Sequence, residues 1–361
     1  RTIGEQQTFI QARLAQGALP NQLPPAQIFR ARIPGTPIEK ATPEGDPWSN
    51  LPDAGPCPGE DSELAFAPVW RLGQWLRDGK VTSVRLTRLA LDRLKAADPT
   101  LHCVVTLTEE LALEQARRAD REIAEGRWRG PLHGVPWGAK DIIDTDGITT
   151  TWGAKPLEDR VAEGDAFVVQ RLEEAGAVLV AKLAVGALAY GDVWFGGTCR
   201  NPFDTEQGSS GSSAGSASAT AAGLVPFTLG TETYGSIVSP CHRCGATGLR
   251  PTFGRVARNG VMALCWSLDK IGPICRSVLD TAIVLRAING ADPMDPASID
   301  EPFTYEASQT ARGLRLGYDP AWFEGPGSSD GDRAALQAAA DAGVELIRIE
   351  LPSMNTAPLL V

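Results

Sequence analysis

The sequence predicts an α/β fold in which a mixed, largely parallel central sheet is flanked by helices. Short segments such as 178–180 and 225–229 alternate with longer segments whose apolar residues recur at helical spacing. The short segments are apolar throughout, as in strands that helices cover on both faces. Hydrophobic residues form 43% and charged residues 22% of the 361 positions, which is typical of globular chains that bury a sizeable core.

Local signals define the individual elements. Apolar spacing over residues 70–76 predicts a helix that stops at Gly79. Thr82 or Ser83 can cap a second helix, which is predicted to end before Pro99. The other predictions are strands at 101–105, 178–180 and 225–229, a strand ending near residue 140, helices at 109–126, 168–176, 214–222 and 277–290, and a strand–helix–strand unit at 314–317, 332–343 and 344–351.

The chain is predicted to have two parts. Residues 1–63 form a proline-rich, extended arm, because ten prolines fall within residues 19–60. Apolar residues in this arm, among them Phe29 and Trp48, favour an arm that lies on a surface. Residues 64–361 form the folded domain, and we expect that domain to lack a C-terminal portion because the chain stops soon after a predicted strand.

Composition narrows the classes of function. The 34 Lys and Arg against 44 Asp and Glu give a net charge of −10, which argues against nucleic acid as the main partner. Only three histidines are available for His-based catalysis, and no apolar run is long enough for a membrane span. The seven cysteines are an odd number, and Cys241 and Cys244 lack a second ligand pair. We therefore expect free thiols, no metal, no cofactor and a cytoplasmic location, with export after loss of a signal peptide as the alternative.

Three segments carry groups suited to catalysis. Residues 208–222 contain only Gly, Ser, Ala and Thr, so this run can open a tightly packed helix whose N–H groups converge on one point. Ser236 follows Gly235 in a predicted turn after a strand, where a hydroxyl can lie beside several backbone N–H groups. Lys140 lies among apolar neighbours such as Trp137, and desolvation there would lower its pKa and let it act as a base.

Together these segments resemble the amidase signature family of serine hydrolases. The resemblance rests on GPLHGVPWGAKD at 130–141, GSSAGSASATAAGLVPFTLGTETYGSI at 211–237, GLRPTFGRVARNG at 248–260 and SLDKIGPICRSVLD at 267–280. The motifs occur in the family's order and extend from about residue 64 to the end, so as a combined pattern they are highly specific. The proline-rich arm lies outside the resemblance.

The resemblance implies the amidase signature fold and hydrolysis of a small-molecule amide by a Ser–Ser–Lys triad. Ser236 would be the nucleophile, Ser212 the bridging serine held by a cis peptide bond, and Lys140 the base. Gly211 and Ser213 would support this triad. The backbone N–H groups that would form the oxyanion hole belong to Thr233, Tyr234, Gly235 and Ser236.

Three positions depart from the family pattern. Tyr234 stands where the family usually has Gly, which leaves the shape of the pocket open. Ala214 replaces a Gly after the serine pair, and Val238 replaces an Arg that would form a salt link.

Other functional interpretations remain open at this point. Ser213 lies in a G-x-S-x-G pattern, but the preceding segment, 201–207, is not strand-like. Ser267 and Lys270 match S-x-x-K without the companion motifs of penicillin-binding enzymes. A glutaminase subunit of a tRNA-dependent amidotransferase and a decayed binding or scaffold homologue are the remaining alternatives. Association into a homo-oligomer also stays open.

Overall fold

The computed structural model describes residues 48, 51–305 and 310–351, which divide into two compact units with their boundary after Tyr305. Most of the predicted arm, residues 1–47 and 49–50, lies outside the described residues. The end of the arm is described, and there the Trp75 indole donates a hydrogen bond to the Gly55 carbonyl at 2.9 Å. This contact fixes the last part of the arm on the first unit.

The described strands and helices follow the predicted alternation. The strands are β1 Val104–Leu107, β2 Pro136–Lys140, β3 Val178–Leu183, β4 Val193–Trp194, β5 Gly197–Thr198, β6 Arg200–Asn201, β7 Asp204–Gly208, β8 Phe227–Glu232, β9 Thr247–Gly248, β10 Lys270–Cys275, β11 Arg315–Tyr318 and β12 Glu345–Arg348. The helices are α1 Asp61–Ala65, α2 Val69–Arg77, α3 Ser83–Leu101, α4 Glu109–Ala124, α5 Phe167–Glu174, α6 Ala214–Ala221, α7 Val238–Cys244, α8 Val278–Ile288, α9 Pro320–Glu324 and α10 Asp330–Asp341, with single 3₁₀ turns at Lys155–Leu157 and Ala187–Ala189.

The central sheet of the first unit has six strands in the order β1-β3-β2-β8-β10-β9. Its middle is parallel, because β2 pairs in parallel with both β3 and β8, whereas β1, β10 and β9 join in antiparallel fashion. All residues of β2, β3 and β8 are buried, as expected for strands that helices cover on both faces. The predicted mixed α/β sheet with a parallel centre is confirmed.

Helix α6 packs directly on this sheet. All eight of its residues are buried, and each is Gly, Ala, Ser or Thr. A Cβ on Gly215 would lie 2.4 Å from the backbone nitrogen of Ala184, so only glycine lets the helix approach the end of β3 this closely. The predicted helix in the small-residue run therefore exists, and its small side chains let it lie against the carboxyl ends of the parallel strands.

The prediction that α3 ends before Pro99 is wrong. The helix continues to Leu101, which is buried, because a proline in the last turn removes few intrahelical hydrogen bonds. One carboxylate oxygen of Asp98 accepts hydrogen bonds from the N–H groups of Cys103 and Val104, both at 2.8 Å. The chain thus turns after the helix, and β1 begins at Val104 rather than at residue 101.

Two strands differ from the sequence-based expectation. Segment 201–207 does form strand, since β6 and β7 pair as an antiparallel hairpin whose mostly exposed, polar residues give no apolar signal. Strand β10 contains Gly272 and Pro273, residue types that weaken strand propensity, and nevertheless it pairs with β8 over five residues.

The second unit is a small α/β unit by itself. Strands β11 and β12 pair in parallel, and α10 between them begins with a capping box in which Ser329 and Asp332 exchange hydrogen bonds. The predicted strand–helix–strand order is confirmed, with β12 ending at Arg348 rather than at residue 351. Residues 352–361 lie outside the described residues.

Within the described ranges, no helix has both the length and the apolar character needed to cross a membrane. All seven cysteines lie in these ranges as free thiols, and burial raises the pKa of Cys241 and of Cys244 to about 12. These two thiols are therefore protonated at neutral pH.

Candidate active site

Lys140 is the last residue of β2, at the edge where the carboxyl ends of the parallel strands meet. Its side chain is fully buried, and its Nζ lies 2.8 Å from Ser212 Oγ and 2.7 Å from Thr231 Oγ1. Open α/β sheets place their ligands at this edge. The structure thus brings Lys140 and Ser212 together as the resemblance implied.

Burial controls the protonation of this lysine. Desolvation lowers the pKa of Lys140 to about 7, while the negative charges of Asp269 and Glu232 oppose the shift. Near neutral pH a large fraction of the amine is therefore unprotonated and can accept a proton. In that form the 2.8 Å contact can reverse, so that the Ser212 hydroxyl donates to the amine.

The serine pair before α6 is held by backbone contacts. The peptide bond between Gly211 and Ser212 is cis, as the resemblance implied. A Cβ on Gly211 would lie 1.8 Å from the carbonyl oxygen of Gly191, so this position accepts only glycine. The close approach places Ser212 at the start of the helix.

Ser213 supports the site differently from the expectation. We expected it to hydrogen-bond Ser212 and Lys140, but its Oγ donates to the Thr231 carbonyl at 3.0 Å and accepts from the Thr231 N–H at 3.1 Å. Its support thus reaches the lysine through Thr231, whose hydroxyl contacts the amine. Sequence analysis assigns no role to Thr231, although a polar residue at the end of a buried strand is a readable signal.

Ser236 lies in the turn after β8, next to the serine pair. Its carbonyl accepts a hydrogen bond from the Ser213 N–H at 3.1 Å, which ties the turn to the start of α6. Gly235 has a φ of +97°, which favours glycine at the tight part of the turn. Within the described part of the chain, the N–H groups of Gly235 and Ser236 donate to no acceptor, so both are available to a bound oxyanion.

Glu232 holds the other side of this turn, another role that sequence analysis missed. Its buried carboxylate accepts hydrogen bonds from the N–H groups of Ile237 and Val238, both at 2.9 Å. The Arg250 guanidinium lies 3.8 Å from the same carboxylate. Arg250 thus provides an ion pair near the point where Val238 replaces the family's arginine.

A cavity of about 390 Å³ opens beside the lysine and the turn. Its lining is mostly apolar, with a few polar groups: Ile142, Ala189, Thr231, Thr233, Arg258, Val261, Met262, Ala263, Leu264, Trp266, Asp269, Lys270 and Ile271. Tyr234 is not part of this lining, and its side chain is 64% exposed. The large residue at the proposed oxyanion turn therefore leaves the cavity open.

The two weaker motifs do not form sites of their own. Ser213, the nucleophile of the G-x-S-x-G interpretation, is fully buried and bonded to Thr231, although β7 does precede it. In the S-x-x-K match, the Lys270 amine donates to the Thr233 carbonyl rather than to Ser267.

The fold and this arrangement define a class: an α/β protein with a buried lysine base beside paired serines and a nearby serine turn. The sequence profile of the family described as Amidase matches residues 85–360. The chain belongs to the amidase family.

Among curated proteins, the chain is similar to the glutamyl-tRNA(Gln) amidotransferase subunits that carry the amidase domain. The subunit from Roseiflexus sp. (strain RS-1) is 44% identical over 286 residues, which cover 77% of this chain and 58% of that protein. The subunit from Geobacter sp. (strain M21) is 41% identical over 304 residues, with coverages of 82% and 62%. The chain thus spans about three fifths of the length of these relatives.

Solved structures show the same fold. The native peptide amidase from Stenotrophomonas maltophilia superposes with a TM-score of 0.72 at 35% identity, covering 79% of this chain and 62% of that one. An amidase family protein from Bacillus anthracis str. Ames gives a TM-score of 0.75 at 30% identity, covering 83% of this chain and 64% of that one.

Proposed function

We propose that this chain hydrolyses the C–N bond of a small, non-peptide carboxamide through an acyl-enzyme on Ser236. The observation that carries the proposal is the buried Lys140 amine, 2.8 Å from Ser212 Oγ, with a pKa lowered to about 7. A neutral lysine in this position can activate a serine hydroxyl at physiological pH. The same relay would accept esters and carbamates as side substrates.

In the proposed first step, Lys140 takes the proton of Ser212 while Ser212 takes the proton of Ser236. The freed Ser236 oxygen attacks the carbonyl carbon, and the carbonyl oxygen becomes an oxyanion. The backbone N–H groups of residues 233–236 stabilise this charge in a site that largely excludes water.

Proton transfer in the reverse direction then completes acylation. The C–N bond breaks as Ser212 donates a proton to the leaving nitrogen and recovers one from Lys140. A water molecule attacks the acyl-enzyme with the same groups as base and acid, which releases the carboxylic acid and regenerates the Ser236 hydroxyl.

The second link of this relay is not formed as a hydrogen bond without substrate. In the described part of the chain, no hydrogen bond joins the Ser236 hydroxyl to Ser212. Catalytic hydrogen bonds are often long in unliganded enzymes and tighten when substrate binds. We expect this contact to close when the carbonyl group occupies the cavity.

The cavity supports a small substrate with an apolar acyl group. Most of its lining is aliphatic, and its guanidinium, that of Arg258, is already paired with Asp295 at 2.8 Å. The net charge of −10 further favours a small molecule over nucleic acid as the bound substrate. Seven free thiols favour a reducing location such as the cytoplasm.

A hydrolysis panel tests the proposal. It contains short aliphatic amides, aryl amides, carbamates and esters, and it compares wild type with Lys140→Ala, Ser236→Ala and the control Ser239→Ala, whose serine lies exposed after the turn. We expect turnover of at least one amide by wild type and by the control, and none by the two site variants. Turnover in either site variant near the wild-type rate, with circular dichroism unchanged, would contradict the assignment.

A second candidate function is supply of ammonia from glutamine to a partner protein. The relatives named as glutamyl-tRNA(Gln) amidotransferase subunits, at 41–44% identity, favour it. In this case the same triad would attack the side-chain amide of glutamine. Glutamine hydrolysis that requires added partner proteins, with no turnover of aryl amides by the chain alone, would support this candidate over the stand-alone amidase.

A further inference from the structure

Lys270 is a buried lysine that the proposed relay does not use. It is the first residue of β10 and lies opposite Glu232 in the antiparallel pairing with β8. Only 8% of its surface is exposed, and its Nζ donates a hydrogen bond to the Thr233 carbonyl at 3.2 Å. The amine therefore holds the first residue of the proposed oxyanion turn.

Stability alone does not account for this placement. Burial lowers the pKa of Lys270, because the charged amine loses solvation there. Within the described ranges, the amine forms no ion pair with a carboxylate within 4.0 Å, although the charges of Glu232 and Asp269 act on it from further away. Thr233 is only half-buried, so water could satisfy its carbonyl without a buried lysine.

The bond to the Thr233 carbonyl also sets the direction of an N–H group. The peptide bond between Thr233 and Tyr234 is trans, so the C=O of the first residue and the N–H of the second point in opposite directions in one plane. A donor that fixes the carbonyl therefore fixes the plane, and with it the start of the turn that leads to Ser236. Hydrogen bonding at the carbonyl also polarises the N–H and strengthens it as a donor.

A second contact holds the same residue from the same segment. The Thr233 hydroxyl donates to the Asp269 carboxylate at 2.5 Å. The other oxygen of that carboxylate accepts the N–H groups of Leu264 and Cys265, at 2.8 and 2.9 Å. Asp269 and Lys270 thus hold the side chain and the carbonyl of Thr233 together, and both also line the cavity.

We propose that Lys270 is a positioning residue for the oxyanion hole, which it orients through the Thr233 carbonyl. This inference rests on the proposed function, because it assigns a role in the same reaction. Misorientation of the turn would weaken stabilisation of the transition state and leave binding of the uncharged substrate nearly unchanged. Loss of Lys270 should therefore lower kcat and leave KM close to its wild-type value.

The test uses a fluorophosphonate probe and the amide that wild type hydrolyses best. The variants are Lys270→Met, which removes the donor, and Lys270→Arg, which keeps one, with Met262→Leu as a control for the shape of the cavity. Removing an oxyanion donor lowers kcat by about 10²–10³-fold, so misorienting one should cost about 10–100-fold. We expect Lys270→Met to lose about that factor in both kcat and the labelling rate constant, with KM within about twofold of wild type. We expect Lys270→Arg to recover most of the loss and Met262→Leu to behave like wild type.

The outcomes separate the inference from the function on which it rests. Wild-type labelling and kcat in a folded Lys270→Met variant would overturn the positioning role. A rise in KM at unchanged kcat would overturn it too, because it would make Lys270 a substrate-binding residue. If Lys270→Met does not fold, Lys270→Gln replaces it under the same criteria. Absence of labelling in wild type would instead contradict the proposed function itself.

Discussion

The pH dependence of activity follows directly from the burial of Lys140. With a pKa of about 7, the neutral fraction of Lys140 rises from about one in eleven at pH 6 to about ten in eleven at pH 8. Because kcat/KM reports the ionisation of the free enzyme, it should rise about tenfold over this interval and level off above pH 8. A lysine at its ordinary pKa of 10.5 would give about a hundredfold rise and no plateau.

One substitution moves this midpoint in a known direction. The negative charge of Asp269 raises the pKa of Lys140, so Asp269→Asn should shift the rise in activity to lower pH. An asparagine can still accept the loop N–H groups and donate to the Thr233 hydroxyl, so the local hydrogen bonds are kept.

The assay measures kcat/KM for an aryl amide from pH 5 to pH 9 in buffers of constant ionic strength, with circular dichroism at each end to confirm folding. Because any groups of the substrate that titrate would move the midpoint, a second substrate serves as control. A rise of tenfold per pH unit continuing to pH 9, or a midpoint that Asp269→Asn moves upward, would show that Lys140 is not the titrating base.

Three further predictions concern the supports of the site. Thr231→Val removes an acceptor of the charged amine, so the activity midpoint should fall below pH 7 and the free energy of unfolding should drop by about 1–3 kcal/mol in urea titrations. The folded pKa of Lys140 lies below its unfolded value of 10.5, so this residue destabilises the fold at low pH and the penalty fades between about pH 7 and 10.5. Lys140→Met should therefore gain stability relative to wild type at pH 6, and that advantage should shrink by pH 9. Gly211→Ala forces a Cβ to 1.8 Å from the Gly191 carbonyl and should lower the melting temperature strongly, whereas Gly164→Ala, which enters open space, should leave it within a few degrees.

The sequence was sufficient for the features that depend on local pattern. Strands β2 and β3 are short, apolar and fully buried, so composition alone marks them as the parallel centre of the sheet. The small-residue run predicted α6, and the resemblance implied Lys140, Ser212 and the cis peptide bond, which the structure brings together. The role of Ser236 as nucleophile stays a prediction.

The features that sequence analysis missed depend on contacts between distant segments. Thr231 gains its role because the parallel register of β2 and β8 brings its hydroxyl to the Lys140 amine, and no local pattern encodes that register. Strand β10 contains Gly272 and Pro273, so its propensity argues against a strand, and its pairing with β8 overrides that preference. Helix α3 likewise continues through Pro99 because Leu101 packs in the core.

Mapping the fluorophosphonate adduct decides whether Ser236 is the nucleophile that Lys140 activates through Ser212. Wild-type protein is labelled at pH 8 and digested, and the modified peptide is sequenced by mass spectrometry. We expect one adduct, on Ser236, that Ser236→Ala abolishes and Lys140→Ala reduces strongly. An adduct on Ser212 or Ser213, or labelling at the wild-type rate in Lys140→Ala, would contradict this assignment.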